Sequence, residues 1–283
     1  MALTGRIPRD FGNLTFLVSL DLGSNNFHGN LPQEMTRLHR LKFLDLSFNN
    51  FRGGFLLESQ IPKVIGNLRE LKLRGNNLIG SIPLSLSNAS RIEFIAFTGN
   101  SLSGSLPNGL CNGLPILKGL YLSYNKLPGN MPTSLSNCSQ LQILSLSENE
   151  FDGPIHTEIG RLSNLQKLAL RTNHFTGIIP QEIGNLVNLA VLDMEKNQIT
   201  WSVPISLFNI SSPQILLAWQ NNLIGEIPKE ISNLVELEEL GFAFNSFSGS
   251  LDMEIFNISG LRVISLSVNN LSGSLPPKID SIV

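Results

Sequence analysis

The sequence has few of the residues that carry catalysis, cross-links or strong charge. Only two cysteines, Cys111 and Cys138, stand among its 283 residues, too few for a disulfide scaffold. Charged residues make up 15% of the chain and the net charge is −2, so no basic surface for nucleic acid is expected. No apolar run reaches the roughly 18 residues of a membrane-spanning helix. These scarcities argue against nucleic acid as a partner and against direct membrane insertion by this segment.

Motifs for catalysis are also missing from the sequence. There is no phosphate-binding P-loop, no Gly-x-Ser-x-Gly turn and no pair of histidines at metal-binding spacing. The four histidines, His28, His39, His156 and His174, occupy unrelated positions. We therefore expect no enzymatic activity, no cofactor and no metal site in this chain.

What the sequence does contain is a repeat of about 24 residues. An asparagine recurs in each repeat, and these register asparagines are Asn25, Asn49, Asn76, Asn100, Asn125, Asn149, Asn173, Asn197, Asn221, Asn245 and Asn269. Apolar residues precede each one at fixed offsets, as in Leu141-x-x-Leu144-x-Leu146-x-x-Asn149. Their alternation predicts a short strand with one buried face, and the asparagine can satisfy backbone groups where the chain turns off that strand.

Each register asparagine is followed by a turn of the form Leu-x-Gly-x-Ile-Pro, for example Leu223–Pro228. Together the two halves match the leucine-rich repeat, and the second half resembles its plant-specific class. Phrases such as Gln181–Leu186 and Leu135–Leu141 resemble the ectodomains of plant leucine-rich repeat receptor-like kinases, closest to the subfamily that includes sensors of bacterial molecules. The resemblance implies a signal peptide, capping cysteine pairs, a membrane span and a serine/threonine kinase in the whole protein, and none of these lies in this sequence.

The expected fold is therefore an α/β-type repeat solenoid, a right-handed arc with a concave parallel β-sheet and convex turns or 3-10 segments. Residues 1–283 would form a single array of about 11 repeats that begins and ends within a repeat. The repeat between Asn49 and Asn76 is irregular. An imperfect or wrongly spliced coding sequence is the favoured interpretation there, and a ligand-contacting loop at residues 52–62 is the alternative.

The concave face is the expected ligand surface, because side chains six, four, two and one before each register asparagine, and one after it, point into it. Two zones of this wall combine aromatic and charged residues, which suits peptide binding. The first zone comprises Phe43, Asp45, Phe48, Lys72, Arg74, Phe94, Tyr121 and Tyr124. The second comprises Lys167, Arg171, His174, Asp193, Glu195, Lys196, Trp219 and Phe244. Ion pairs between neighbouring strands, Asp45 with Lys72 and Arg171 with Glu195, are the alternative reading of the charges.

The resemblance to receptor ectodomains lets us predict N-glycosylation at the plant cell surface. Six Asn-x-Ser/Thr sequons occur, at Asn13, Asn88, Asn137, Asn209, Asn257 and Asn270. Cys138 occupies a core leucine position, which favours a buried free thiol over a disulfide with Cys111.

Three functions are compatible with the sequence. The first is the ligand-binding extracellular segment of a plant cell-surface receptor, which would bind a peptide, a protein or a microbial molecule and could engage a co-receptor. The second is a secreted leucine-rich repeat inhibitor of microbial wall-degrading enzymes. The third is a non-functional fragment of a receptor gene.

Overall fold

The computed structural model describes residues 2–54, 65–210 and 212–274. Two compact units make up the chain, Met1–Glu150 and Phe151–Val283. Most of the predicted irregular loop, residues 55–62, lies outside the described residues. Both units repeat one pattern: a strand, a sharp turn at the register asparagine, a second strand and a short 3-10 segment.

The strand before each register asparagine, here called the major strand, is three residues long and parallel to its neighbours. In the first unit the major strands are Ser19–Asp21, Phe43–Asp45, Glu70–Lys72, Phe94–Ala96, Gly119–Tyr121 and Ile143–Ser145. In the second unit they are Lys167–Ala169, Val191–Asp193, Ile215–Leu217, Glu239–Gly241 and Val263–Ser265. The middle residue of each is apolar, and it is buried in the core from Leu44 of Phe43–Asp45 to Leu240 of Glu239–Gly241, as the period-two alternation predicts.

The second strand of each repeat, here called the minor strand, lies at the Leu-x-Gly turn, and Trp201 replaces the glycine of that turn in one repeat. The minor strands are Thr4–Gly5, Asn26–Gly29, Asn50–Gly54, Asn77–Gly80, Ser101–Leu102, Pro128–Asn130, Glu150–Pro154, His174–Thr176, Thr200–Trp201, Asn222–Glu226, Ser246–Ser250 and Asn270–Ser272. At Gly225, for example, φ is +82°, a left-handed conformation that L side chains resist.

The 3-10 segments follow the minor strands and contain three to five residues. They are Arg9–Asn13, Gln33–Arg37, Ile65–Asn67, Leu84–Asn88, Leu110–Gly113, Thr133–Asn137, Thr157–Arg161, Gln181–Asn185, Ile205–Asn209, Lys229–Asn233 and Met253–Asn257. A proline stands before most of them and fixes the extended backbone from which the segment starts. Where Asp252 replaces this proline, its carboxylate caps the segment by accepting a hydrogen bond from the Glu254 amide.

The register asparagines fasten each repeat to the one before it. The Asn149 Nδ2 donates to the carbonyl oxygens of Leu146 in its own repeat and Leu122 in the preceding repeat, both at 3.0 Å. Its Oδ1 accepts from the amide of Leu127, also in the preceding repeat, at 3.0 Å. One buried side chain thus satisfies three backbone groups of the turn, which explains why asparagine recurs there.

The two cysteines form a disulfide, so the expectation of a buried free thiol at Cys138 is wrong. Cys111 lies inside the segment Leu110–Gly113, and Cys138 directly follows Thr133–Asn137 in the next repeat. Their Cα atoms are 5.1 Å apart, and both residues are buried. The segment with Cys111 starts from a left-handed Gly109, φ +97°, instead of a proline. Both Leu110 and Cys111 of this segment are buried, and the disulfide joins Cys111 to Cys138.

The leucine-rich repeat solenoid predicted from the sequence is confirmed. Parallel major strands and 3-10 segments recur in both units, and leucines and fully buried phenylalanines such as Phe151 and Phe175 fill the core behind the turn. Among the described residues, every helical segment is too short to cross a bilayer.

Candidate ligand-binding surface

The major strands of each unit have one face toward the core and one face toward solvent, here called the open face. The predicted first zone lies on the open face of the first unit, and the predicted second zone belongs to the second unit. Within the second zone, His174 differs from the rest, because it begins a minor strand and pairs there with Asp152.

A row of left-handed residues borders the open face. The residue directly before each register asparagine has φ between about +50° and +70° in all described repeats. The row contains exposed aromatic side chains at Phe48, Tyr124 and Phe244. Non-glycine residues in this conformation are uncommon, so the turn at the register asparagine imposes it.

The ion pair predicted between Asp45 and Lys72 is replaced by another in the structure. The Lys72 Nζ lies 2.6 Å from the Glu70 Oε2, two residues earlier on the same strand. This hydrogen bond, together with weaker attraction from Asp45, raises the pKa of Lys72. The Asp45 Oδ1 instead accepts from the Ser47 amide at 2.9 Å. The Glu70 carboxylate therefore partly neutralises the charge of Lys72.

Arg74 differs from Lys72 in its surroundings. Its guanidinium carbon lies 5.3 Å from the centre of the Phe48 ring, a cation–π contact. Among the described residues it has no carboxylate within ion-pair distance. Arg74 is thus the basic residue of the first zone that packs against an aromatic ring and not against a carboxylate.

Phe94 and Tyr121 converge on Gly119. A β-carbon added at Gly119 would lie 2.8 Å from the Phe94 Cδ1 and 2.6 Å from the Tyr121 Cε2. Both rings therefore occupy space that a side chain at Gly119 would fill. Burial raises the pKa of the Tyr121 phenol, against a smaller opposing effect of the nearby Lys72 charge. Phe43, exposed two strands away from Phe94, adds a further aromatic ring, so the first zone is a mixed aromatic and charged surface.

In the second zone, the predicted pair of Arg171 and Glu195 is confirmed. The Arg171 Nε lies 3.5 Å from the Glu195 Oε2. The Trp219 indole contributes a hydrogen bond to the same carboxylate, and its ring lies 5.0 Å from the Lys196 Nζ and 6.0 Å from the Phe244 ring centre. Burial is the main reason that the pKa of Glu195 is raised, and the Asp193 charge adds to it.

Five of the six sequons lie in the 3-10 segments, away from the major strands. All six sequon asparagines are exposed, and five of them are the last residue of a 3-10 segment: Asn13, Asn88, Asn137, Asn209 and Asn257. Asn270 begins the minor strand Asn270–Ser272 instead. Asn185 and Asn233 hold the same structural position as the five but lack the sequon.

Trp201 is exposed on the flank formed by the minor strands. Its side chain is 64% exposed, and its φ is +74° where the neighbouring repeats have Gly177 and Gly225 with φ of +72° and +82°.

Three glycines that were not predicted as site residues shape the first zone, Gly75, Gly99 and Gly119. The sequence alone could have shown them, because each glycine stands at an open-face offset where a nearby repeat has an aromatic residue. The described residues contain no cluster of acidic, histidine or cysteine side chains suited to a metal ion.

Comparison with known families identifies the repeat. A leucine-rich repeat region model matches residues 122–278, more than half of the chain, and a single-repeat model matches residues 16–38, 40–64 and 67–89. The chain belongs to the leucine-rich repeat family. A comparison with curated protein sequences finds no significant match.

Solved structures show which leucine-rich repeat proteins are similar. The plant peptide hormone receptor RGFR1, in complex with RGF2, is 35% identical, with a TM-score of 0.94 over 99% of this chain and 45% of its own. The ectodomain of the Arabidopsis receptor kinase HAESA, bound to an extended IDA peptide hormone, is 31% identical, with a TM-score of 0.92 over 99% of this chain and 46% of its own.

A second structure contains HAESA with IDA and the co-receptor SERK1; it is 30% identical, with a TM-score of 0.89 over 98% of this chain and 50% of that one. The leucine-rich repeat chain studied here therefore spans no more than half the length of these receptor chains.

Proposed function

We propose that this chain is the ligand-binding extracellular segment of a plant cell-surface receptor and that it binds a peptide on the open face of the first unit. The observation that carries the proposal is the first zone, where Phe48 and Tyr124 are 52% and 60% exposed and the Arg74 guanidinium rests against the Phe48 ring. Exposed aromatic side chains next to a guanidinium supply apolar contact area and a partner for a carboxylate.

The similarity to receptor ectodomains supports a peptide as the ligand. Three of the solved structures are complexes with peptide hormones, RGF2 in one and IDA in two. A protein co-receptor is a further proposed partner, since one of these structures includes SERK1. A microbial molecule on the same face is the alternative ligand class that a screen would reveal.

A peptide-binding assay tests the proposal. Peptides from plant extracellular fluid are screened against the secreted chain, and the affinity of each binder is measured for variants. The double variant Arg74→Ala, Tyr121→Ala should weaken binding at least about tenfold, or 1.4 kcal/mol. Glu158→Ala, in the 3-10 segment Thr157–Arg161, should leave the affinity unchanged. Unchanged binding by the double variant would remove the first zone as the ligand site.

The extracellular location is tested by glycan mapping. Enzymatic deglycosylation of the protein secreted from plant cells should lower its mass, with glycans at the exposed sequons and none at Asn185 or Asn233. An unchanged mass would contradict passage through the secretory route.

A further inference from the structure

Four consecutive repeats of the first unit form a pattern in the left-handed row before the register asparagines. The residues are Phe48, Gly75, Gly99 and Tyr124, with φ of +55°, +63°, +70° and +58°. Aromatic side chains thus stand at both ends and two glycines stand between them. Because all four share one offset, they lie side by side across adjacent repeats on the open face.

The Phe48 ring covers the first of these glycines. A β-carbon added at Gly75 would lie 2.7 Å from the Phe48 Cδ1, closer than real contacts allow. The missing side chain at Gly75 therefore lets the ring lie over that backbone. The guanidinium of Arg74 then rests 5.3 Å from the ring centre.

The second glycine is uncovered. A β-carbon added at Gly99 would meet only the Gly75 backbone, the nitrogen at 3.6 Å and the Cα at 3.7 Å, and nothing else within 4 Å. Adjacent strands lie roughly 4.8 Å apart, so the backbones of Gly75 and Tyr124 are about 10 Å apart. A flat ring held between two others needs about 7 Å, at about 3.5 Å on each side. The space above Gly99 has room for one flat group.

The floor of this space is the backbone of Gly75 and Gly99, whose amide groups are already hydrogen-bonded. The Gly75 and Gly99 amides both donate to carbonyl oxygens of the following repeat, those of Thr98 and Ser123. The Gly99 carbonyl oxygen accepts from the Asn76 amide. Because both amides are hydrogen-bonded, neither is free to bind an anion. A bound group would therefore make only van der Waals contact with this backbone.

The Phe48 and Tyr124 rings and the Arg74 charge favour an aromatic group in this space. Phe48 and Tyr124 expose about half or more of their surface, and stacked aromatic rings attract each other beyond the effect of the area they bury. Arg74 places a positive charge against the Phe48 ring, one wall of the space, and a cation complements the electron-rich face of a ring. An aliphatic group would gain neither effect.

We propose that Phe48, Gly99 and Tyr124 form a slot for a flat aromatic group, which under the proposed function is an aromatic side chain of the peptide ligand. Only the identity of the molecule that carries the ring depends on the proposed function; the slot itself is argued from the geometry. Its recognition elements are two aromatic walls, a glycine floor and the Arg74 cation.

The test uses N-acetyl-L-tryptophanamide as the aromatic probe and N-acetyl-L-leucinamide as the aliphatic one. Binding to the full chain is followed by saturation-transfer NMR of the probe protons. The tryptophan amide should bind with a Kd on the order of 1 mM, and the leucine amide should bind at least about fivefold more weakly. Equal affinity for the two probes would overturn the proposal.

Two variants locate the binding. Gly99→Asn fills the floor with a residue that tolerates the left-handed conformation, and Tyr124→Ala removes a wall. Each should weaken the tryptophan amide at least about fivefold. Ser24→Asn is the matched control, because Ser24 holds the same offset with φ +55° outside the slot, and it should change nothing. Unaltered binding by both slot variants would overturn the proposal, and circular dichroism checks that Gly99→Asn folds.

The outcomes separate the slot from the proposed function. No probe binding, with peptide binding still dependent on Arg74 and Tyr121, would reject the slot and keep the receptor function. Probe binding that Gly99→Asn removes, with no peptide recognised on the first zone, would keep the slot and reject the proposed function.

Discussion

The Glu195 carboxylate is almost completely buried on the open face of the second unit and lies 3.5 Å from the Arg171 Nε of the neighbouring repeat. Burial and the Asp193 charge raise the pKa of Glu195 despite this pairing. The folded state therefore holds the proton more tightly than the unfolded chain does. Stability from this group is fully present below the unfolded pKa, about 4.3, and is lost as pH rises through the folded pKa.

Glu195→Gln should accordingly raise the melting temperature at pH 7 relative to the unchanged chain, and the gain should shrink toward pH 4. The neutral amide mimics the protonated acid that the buried site favours. Glu236→Gln, at an exposed position, controls for the loss of one negative charge. A gain at pH 7 that persists in full at pH 4 would contradict the titration of Glu195.

Trp201→Gly should leave the fold intact and stabilise it by about 1 kcal/mol. The left-handed backbone costs a non-glycine residue about 1–2 kcal/mol, and the greater freedom of glycine in the unfolded chain offsets part of that gain. Urea denaturation measures the change. Gly225→Ala, at the same offset, should be destabilising; loss of folding in Trp201→Gly would instead assign the indole a structural role.

Asn221→Ala should destabilise the second unit by about 3 kcal/mol. Its buried amide donates to the carbonyl oxygens of Met194 and Ala218 and accepts from the Ile199 amide. Thermal melting gives the total effect, and hydrogen exchange at the Ile199 amide should accelerate. Asn222→Ala, one residue later and exposed, is the control, and an equal effect of both substitutions would refute the role assigned to the register asparagine.

The disulfide should be detectable chemically. Under denaturing conditions without reductant, Ellman titration should find no free thiol, and after reduction it should find two. Serine at both Cys111 and Cys138 should lower the stability by about 3 kcal/mol, because the bond closes a long loop in the unfolded chain. Two thiols in the unreduced secreted protein would contradict the bond.

The sequence determined the repeat and its register because the same offsets recur in every repeat. It did not determine which carboxylate pairs with a lysine. Lys72 could pair with Asp45 on the neighbouring strand or with Glu70 on its own strand, and the side-chain rotamers determine which pair forms. Nor did it place Cys111 opposite Cys138, because that segment starts from a left-handed Gly109 and departs from the repeat. The site was predictable as a surface, and its internal contacts were not.

The hydrogen bonds of the register asparagines run in one direction along the array, from each repeat to the one before it. The Oδ1 of Asn49 accepts from the amide of Phe27 and that of Asn149 from the amide of Leu127, so these asparagines complete the hydrogen bonding of the repeat before their own. Damage at one asparagine therefore loosens its own turn and its N-terminal neighbour together. Pulled from its C-terminal side, such an array should unravel one repeat at a time, releasing about 80 Å of chain per step of 24 residues.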